Sequence, residues 1–412
     1  MIRKLLLLIV LLCVGGMNAQ ETTLSPYSFY GIGTPKFKGT AENRMMGGLG
    51  ILADSIHLNL QNPAAFAGLK LTTFTVGGAH HTGTFKDNNA SESLGTTTID
   101  YIALGIPAGK LNFGFGLIPY TSVGYEIKKH TDTENSEFEG RGGVNKIFLS
   151  AGYQLTKHLS LGVEGGYYFG NIRNNMYLFP SQVEYGTRER NRSDLSGFKF
   201  NFGLRYQRQL DDKLQLTTAL TYAPETKINS ENARVLATVS RNSGREVVFQ
   251  QMDIDVQDTK LTMPSEMSVG AGIGQARKWF AGFEYKYRGE ASFSNRSFEM
   301  DNITYTQANK YTLGGYFIPN YKDITSYFNR VVYRAGFRYE ENGMRINNQD
   351  INEFGMSFGL GLPAGKLFTN VNIGAEYGVR GTTKANLVKE NFFSVFISLS
   401  LSDKWFQKRK FN

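Results

Sequence analysis

After its first few residues this chain has no cysteine and no long apolar run. Its single cysteine is Cys13, and it lies inside an N-terminal leader. Arg3 and Lys4 open that leader, and Leu5 to Val14 form an apolar core too short to span a bilayer. Asn18-Ala19 before Gln20 fits a cleavage site, although Met17 is large for its position. A lipid-anchoring cysteine needs a small residue before it, and Leu12 stands there. Residues 1–19 therefore read as a signal peptide. Without them the chain has no disulfide or thiol chemistry. The remaining chain lacks the ~20-residue apolar runs of membrane helices. It also lacks a Pro-, Gly- or Ser-rich stretch that would mark a domain boundary.

Histidine is scarce: His57, His80, His81, His130 and His158. None has metal-ligand spacing with cysteine, and His80 and His81 project to opposite faces of a strand. There is no nucleophile motif and no placed set of partners. The reading is a non-enzyme with no cofactor and no metal. The net charge of +9 falls to +7 once Arg3 and Lys4 are removed. The remaining basic residues are dispersed on an exported chain, which argues against nucleic acid as a partner.

Aromatics and glycine are abundant, with 22 Tyr, 30 Phe and 46 Gly. They are arranged with a period of two. In residues 197–207, Phe198, Phe200, Phe202, Leu204 and Tyr206 share one face, against Lys199, Asn201 and Arg205 on the other. In 370–380, Val371, Ile373, Ala375, Tyr377 and Val379 oppose Asn370, Asn372, Glu376 and Arg380. One face suits lipid and the other a polar interior. The pattern predicts strands near 70–80, 97–107, 110–126, 144–155, 159–171, 196–209, 213–224, 262–274, 279–292, 309–318, 330–341, 351–362, 368–381 and 390–401. Connections after even strands are mostly tight. Those after odd strands are long and polar, notably 127–143, 172–195, 225–261 and 293–308. This rhythm predicts an all-β, transmembrane antiparallel β-barrel of about 14 strands in the outer membrane. An even count returns both barrel ends to the periplasmic side. Trp279, Phe280, Trp405 and Phe406 read as an interfacial girdle. Residues 402–412 read as a basic periplasmic tail.

Residues 20–69 do not read as strands. They carry Arg44 and Gly47-Gly48, and end in Asn62-Pro63-Ala64-Ala65-Phe66 directly before the first strand. A segment of this length without strands is usually functional. It predicts an N-terminal plug, with the barrel over 70–401. Here the chain resembles the long-chain fatty-acid transporter (FadL-type) family over essentially its whole mature length. In that family a hatch with an Asn-Pro-Ala motif precedes fourteen strands, and the motif falls here at Asn62, Pro63 and Ala64.

The resemblance implies a lateral opening at a broken third strand. The candidates are Gly114, Gly116 and Pro119, because proline cannot donate to a strand ladder and strand glycine marks bulges; the glycines equally suit simple room for the plug. It also implies external ligand capture between the third and fourth outer loops. Met176, Tyr177, Leu178 and Phe179 are the candidates there, with loop packing or extended strands as the alternative. Inward faces carry Lys199, Arg205, Glu284, Lys286, Arg334, Arg338, Glu376 and Arg380. These read either as a salt-bridged lock between plug and wall or as a path for an anionic headgroup. The functional expectation is a channel for passive uptake of hydrophobic, fatty-acid-like molecules, in contact with outer-membrane lipid. The alternative is a structural or shuttle subunit of an outer-membrane secretion or protein-assembly complex, with other subunits as partners.

Overall fold

Alternation along the strands becomes inside and outside. The structure is a computed structural model that describes residues 23–181, 183–242, 245–290, 302–364 and 369–404. Fourteen strands close an antiparallel barrel. They are β1 (Thr72–Lys86), β2 (Ser91–Ile106), β3 (Leu111–His130), β4 (Glu134–Gln154), β5 (Leu159–Pro180), β6 (Gly186–Gln209) and β7 (Gln215–Ala223). The second half is β8 (Glu266–Gln275), β9 (Trp279–Arg288), β10 (Ala308–Phe317), β11 (Val332–Ile346), β12 (Gln349–Ala364), β13 (Thr369–Arg380) and β14 (Lys389–Asp403). β14 closes on β1 from Lys389↔Lys86 to Asp403↔Thr72. Closure leaves no free outer strand around the ring, and a span of hydrocarbon requires its backbone groups to be paired. No described helix is long and apolar enough to cross a membrane.

The facing is as the alternation predicts. Phe198 and Phe200 are 64% and 51% exposed on the outer wall, while Lys199 between them is 4% exposed. The leader, the turn at 365–368, and Trp405, Phe406 and the basic tail lie outside the described residues.

Three expectations change. The long polar connections are largely strand. β3 and β4 continue past the apolar band to meet at 131–133, and β5 and β6 do the same to 181–185. Residues 225–263 fold as Thr226–Asn242, Arg245–Ile254 and Thr259–Met263, with the first laid along the upper part of β6. Above the membrane both faces meet water or protein. The apolar alternation fades there although the ladder continues. Met176, Tyr177, Leu178 and Phe179 are consequently rungs of β5, opposite Phe138 to Asn135. Phe280 is not a girdle residue. It points inward and packs with Met46, Leu49, Ile51 and Ala219.

Lipid exposure of the aromatic face sets the first testable outcome. Phe200→Arg should cost insertion about 2–4 kcal/mol if the residue sits near the midplane. It should abolish the shift between folded and heat-unfolded forms on a gel.

Candidate functional site

The N-terminal segment runs inside the barrel and bonds to the wall at both of its ends. Ser25 Oγ donates to Glu390 Oε2 (2.7 Å) and Tyr27 Oη to the Val388 carbonyl (2.5 Å), both at the outer mouth. Tyr27 packs there with Ile346, Ile351 and Leu387, and with Tyr30. Deeper, Thr40 caps the single helical turn Ala41–Arg44. Near the periplasmic end, the Ile56 carbonyl accepts from Ser402 Oγ (3.0 Å) and Thr73 Oγ1 (3.3 Å).

The wall is cut to admit this backbone. A Cβ on Gly336 of β11 would sit 2.0 Å from the Met46 carbonyl carbon. One on Gly162 of β5 would sit 2.2 Å from Ala64 N. The Asn-Pro-Ala motif is a helix start. Asn62 Oδ1 accepts from Ala64 N (2.9 Å), and Pro63 opens the 3-10 turn Pro63–Gly68, where its missing N–H costs nothing. The other end of that turn is held by a residue that sequence reasoning missed. Asn112 of β3 is buried, and its Nδ2 lies 2.9, 3.2 and 3.1 Å from the carbonyls of Phe66, Ala67 and Leu69. Its only sequence signal is a polar residue at an inward position.

Inward charges join plug and wall in an alternating chain. Arg44 Nη1 meets Asp100 of β2 at 3.2 Å, and its Nε meets Glu376 of β13 at 2.7 Å. Glu376 also meets Arg338, which reaches Glu353 at 2.6 Å. Glu353 pairs with Arg380, which reaches Glu390 at 3.4 Å. A second cluster centres on Glu266. Lys286, Lys38 and Lys199 approach it at 2.8, 3.0 and 3.6 Å, and Tyr120 Oη donates to it at 3.2 Å. Of the remaining candidates, Glu284 reaches the plug and accepts from Gly50 N (2.5 Å), whereas Arg334 donates to Asn372 (3.1 Å) and Arg205 to Gln207 within the wall. Among the described residues no group of His, Cys, Asp and Glu could hold a metal ion.

The wall is interrupted between β2 and β3. Their ladder runs only from Ile102↔Leu117 to Ile106↔Phe113. Above Leu117 the register of β3 against β4 shifts between Pro119 and Thr121, and the extra residue, Tyr120, turns inward. Here β3 finds a different neighbour. Thr34↔Ser122 and Pro35↔Thr121 pair antiparallel, and Lys36 N donates to the Tyr120 carbonyl (2.9 Å). On the other side Asp100 occupies a bulge of β2 between Ile99 and Tyr101. A cavity of about 320 Å³ lies behind the interruption, lined by Leu94, Ile99, Pro119, Tyr120, Phe37 and Lys286 among others. Pro119 thus stands at the interruption. Gly114 and Gly116 lie below it in the paired ladder. A Cβ on Gly114 would meet the Phe66 ring at 2.0 Å, so that glycine makes room for the plug.

Gly162→Leu should expel the Asn-Pro-Ala turn while the barrel still folds. Asn112→Ala should cost the turn about 1–3 kcal/mol through unsatisfied carbonyls. Both are read by amide exchange over residues 62–70 and by ion conductance in planar bilayers. A pH response is expected lower in the plug. Asp54 Oδ2 meets His57 Nδ1 at 2.7 Å, and His57 Nε2 lies 3.2 Å from Asn370 Nδ2 on the wall. Burial pulls the Asp54 carboxyl up, but the charge and hydrogen bond of His57 outweigh it and leave it lowered. Burial pulls His57 down, and Asp54 outweighs that and raises it above 6.5. The His57 contribution is therefore full below about pH 6.5 and lost as pH rises through the raised value. The Asp54 contribution is lost on the acid side. Exchange of the amides at 54–58, corrected for its intrinsic pH dependence, should accelerate from neutral pH upward. His57→Gln should flatten that profile.

The fold matches known outer-membrane proteins. The toluene transporter TodX of Pseudomonas putida superposes with a TM-score of 0.59 at 15% identity, covering 91% of this chain and 100% of that one. The CymD monoaromatic hydrocarbon channel gives 0.55 at 16% identity, with the same coverages. A Pseudomonas aeruginosa FadL homologue gives 0.52 at 11% identity, covering 91% and 99%. At these identities the likeness is one of fold. No curated protein matches the sequence. A family model does match, over residues 1–412, and by it this chain belongs to the BamG family.

Proposed function

We propose that the chain is an outer-membrane channel for passive passage of hydrophobic small molecules, held behind the β2–β3 interruption and exchanged sideways with the bilayer. The observation that carries this reading is the missing ladder above Ile102↔Leu117, with a cavity directly behind it. Pockets for small molecules are mainly apolar with a few placed polar groups. Leu94, Ile99 and Phe37 supply apolar surface, and the Glu266 cluster supplies charge. An amphiphile with an anionic head, such as a fatty acid, would set its chain in the interruption and its head toward Lys38 and Lys286. The structures of similar fold include a toluene transporter and a monoaromatic hydrocarbon channel, which supports the hydrophobic class. Met176 to Phe179, as rungs of β5, make external capture there a matter of a strand face rather than a loop groove.

A second reading is favoured by the outer mouth. Tyr27, Tyr30 and the strands around them fill it, and the bore below is tied by ion pairs. A barrel closed in this way also suits a structural subunit of an outer-membrane secretion or assembly complex.

One variant separates the two. Leu94→Trp with Thr98→Trp narrows the interruption without touching the ladder below it. Gly116 should stay as it is, because a Cβ there would sit 2.4 Å from the Ile102 carbonyl oxygen. Uptake of a labelled aromatic hydrocarbon or fatty acid by whole cells should fall to the level of cells lacking the protein, with heat-modifiable folding retained. Undiminished uptake sinks lateral passage. A defect in assembly of other outer-membrane proteins, with no change in uptake, moves the assignment to the complex subunit.

A further inference from the structure

Among the described residues, the outermost strand of the cell-surface sheet has one neighbour. Arg245–Ile254 pairs with Asn242 to Arg234, and no described strand pairs with its other edge. Most natural edges of this length are blunted by lysine or proline. Residues 245–256 contain neither; their charges stand only at the two ends, Arg245 and Glu246 above and Asp253 and Asp255 below, and a register shift lies between Val248 and Gln250. Val247, Val248, Phe249 and Met252 are all exposed, Phe249 at 58% and Met252 at 56%. The ring of Phe249 meets that of exposed Tyr185 edge-on at 4.8 Å.

Lipid does not cover these residues. Val248 stands opposite Val239, and Val239 opposite Gly186 of β6. Gly186 lies about 12 residues, or ~40 Å of strand, above lipid-facing Phe198. Exposed apolar surface in water, on a free row of backbone N–H and C=O groups, has one simple complement: another strand. The foot of the edge narrows the choice. Asp253, Asp255 and Asp258 are exposed there. At the upper end Glu246 is already engaged by Arg188.

We infer that this edge docks an extended segment of a partner protein at the cell surface by strand addition. The segment carries alternating apolar side chains and lysine or arginine at the end that meets Asp253 and Asp255. The site is separate from the cavity and from the β2–β3 interruption, and it stands whichever function above is correct.

The test uses the full-length protein, first in its own outer membrane and then purified in detergent. Amide exchange over 245–254 should be slower in the membrane by about tenfold or more, as expected for amides recruited into a ladder. Val248→Lys with Met252→Lys should abolish the difference while heat-modifiable folding is unchanged. With purified protein, a Val-Thr alternating peptide ending in lysines should slow the same amides. The same peptide ending in glutamates should not, and Asp253→Lys with Asp255→Lys should reverse that preference. A photo-crosslinker at exposed Gln251 should then join an extended segment of a different protein. Equal exchange in membrane and detergent would overturn the proposal. So would protection that survives the lysine variant, indifference to peptide charge, or an adduct of two copies of this chain.

Discussion

A ring of fourteen strands encloses more space than its own side chains can fill. A charge that faces inward must therefore be paired across the wall, as Lys146 is with Glu164, or by something inside the bore, or remain in water behind low-dielectric walls. The N-terminal segment supplies the partner inside the bore, through Lys38 and Arg44. Arg44 shows how much depends on it. One guanidinium at the end of a four-residue helix joins Asp100 of β2 to Glu376 of β13, with the Phe396 ring 4.8 Å away. Removing it leaves Glu376, 1% exposed, dependent on Arg338 alone. Because Asp100 sits in the β2 bulge beside the interrupted ladder, the tie that seats the plug is also one post of the opening. Plug position and wall geometry are mechanically one system.

Much of the barrel is legible because lipid imposes a strict alternation. All fourteen strands follow from it, and the outward exposure of Phe198 and Phe200 obeys the same rule. That rule ends where lipid ends. Arg173, Asn174, Asn175 and Met176 show no apolar alternation, yet they are consecutive rungs of β5, where Asn174 Oδ1 accepts from Tyr125 Oη (2.8 Å) and Asn175 Nδ2 donates to Glu139 (3.3 Å). Strand ends mislead for a related reason. Phe280 has the residue type and position of a girdle aromatic, but a one-residue change of face places it against the plug.

The site is less legible than the fold. The Asn-Pro-Ala motif is visible in the sequence, and its local chemistry as a helix start is general. Its receptor in the wall is hidden. Gly162 and Asn112 are ordinary alternation residues until the plug backbone is laid against them. The upper plug is also invisible, because Tyr27 and Tyr30 carry no pattern of their own. Their burial depends on Ile346, Ile351 and Leu387, hundreds of residues away.

The interruption between β2 and β3 raises a problem that the plug partly answers. An open strand edge is not tolerated against hydrocarbon, since its polar groups would lack partners. On the β3 side the N-terminal segment supplies them: Ser28 Oγ to the Gly124 carbonyl at 3.0 Å, the Thr34–Pro35 pairing, and Lys36 N to the Tyr120 carbonyl. On the β2 side no such strand is laid among the described residues, and the cavity opens there instead, apolar at Leu94, Ile99 and Phe37 and charged at Glu266 and Lys286. Thr96 and Thr98 face it, with Leu94 and Ile99 at its rim. A wholly apolar cavity would be the natural match for a hydrocarbon. It would leave the β2 edge without water, and the edge would close on β3. The charges of the Glu266 cluster and the hydroxyls of Thr96 and Thr98 instead give that edge polar surroundings beside its apolar rim.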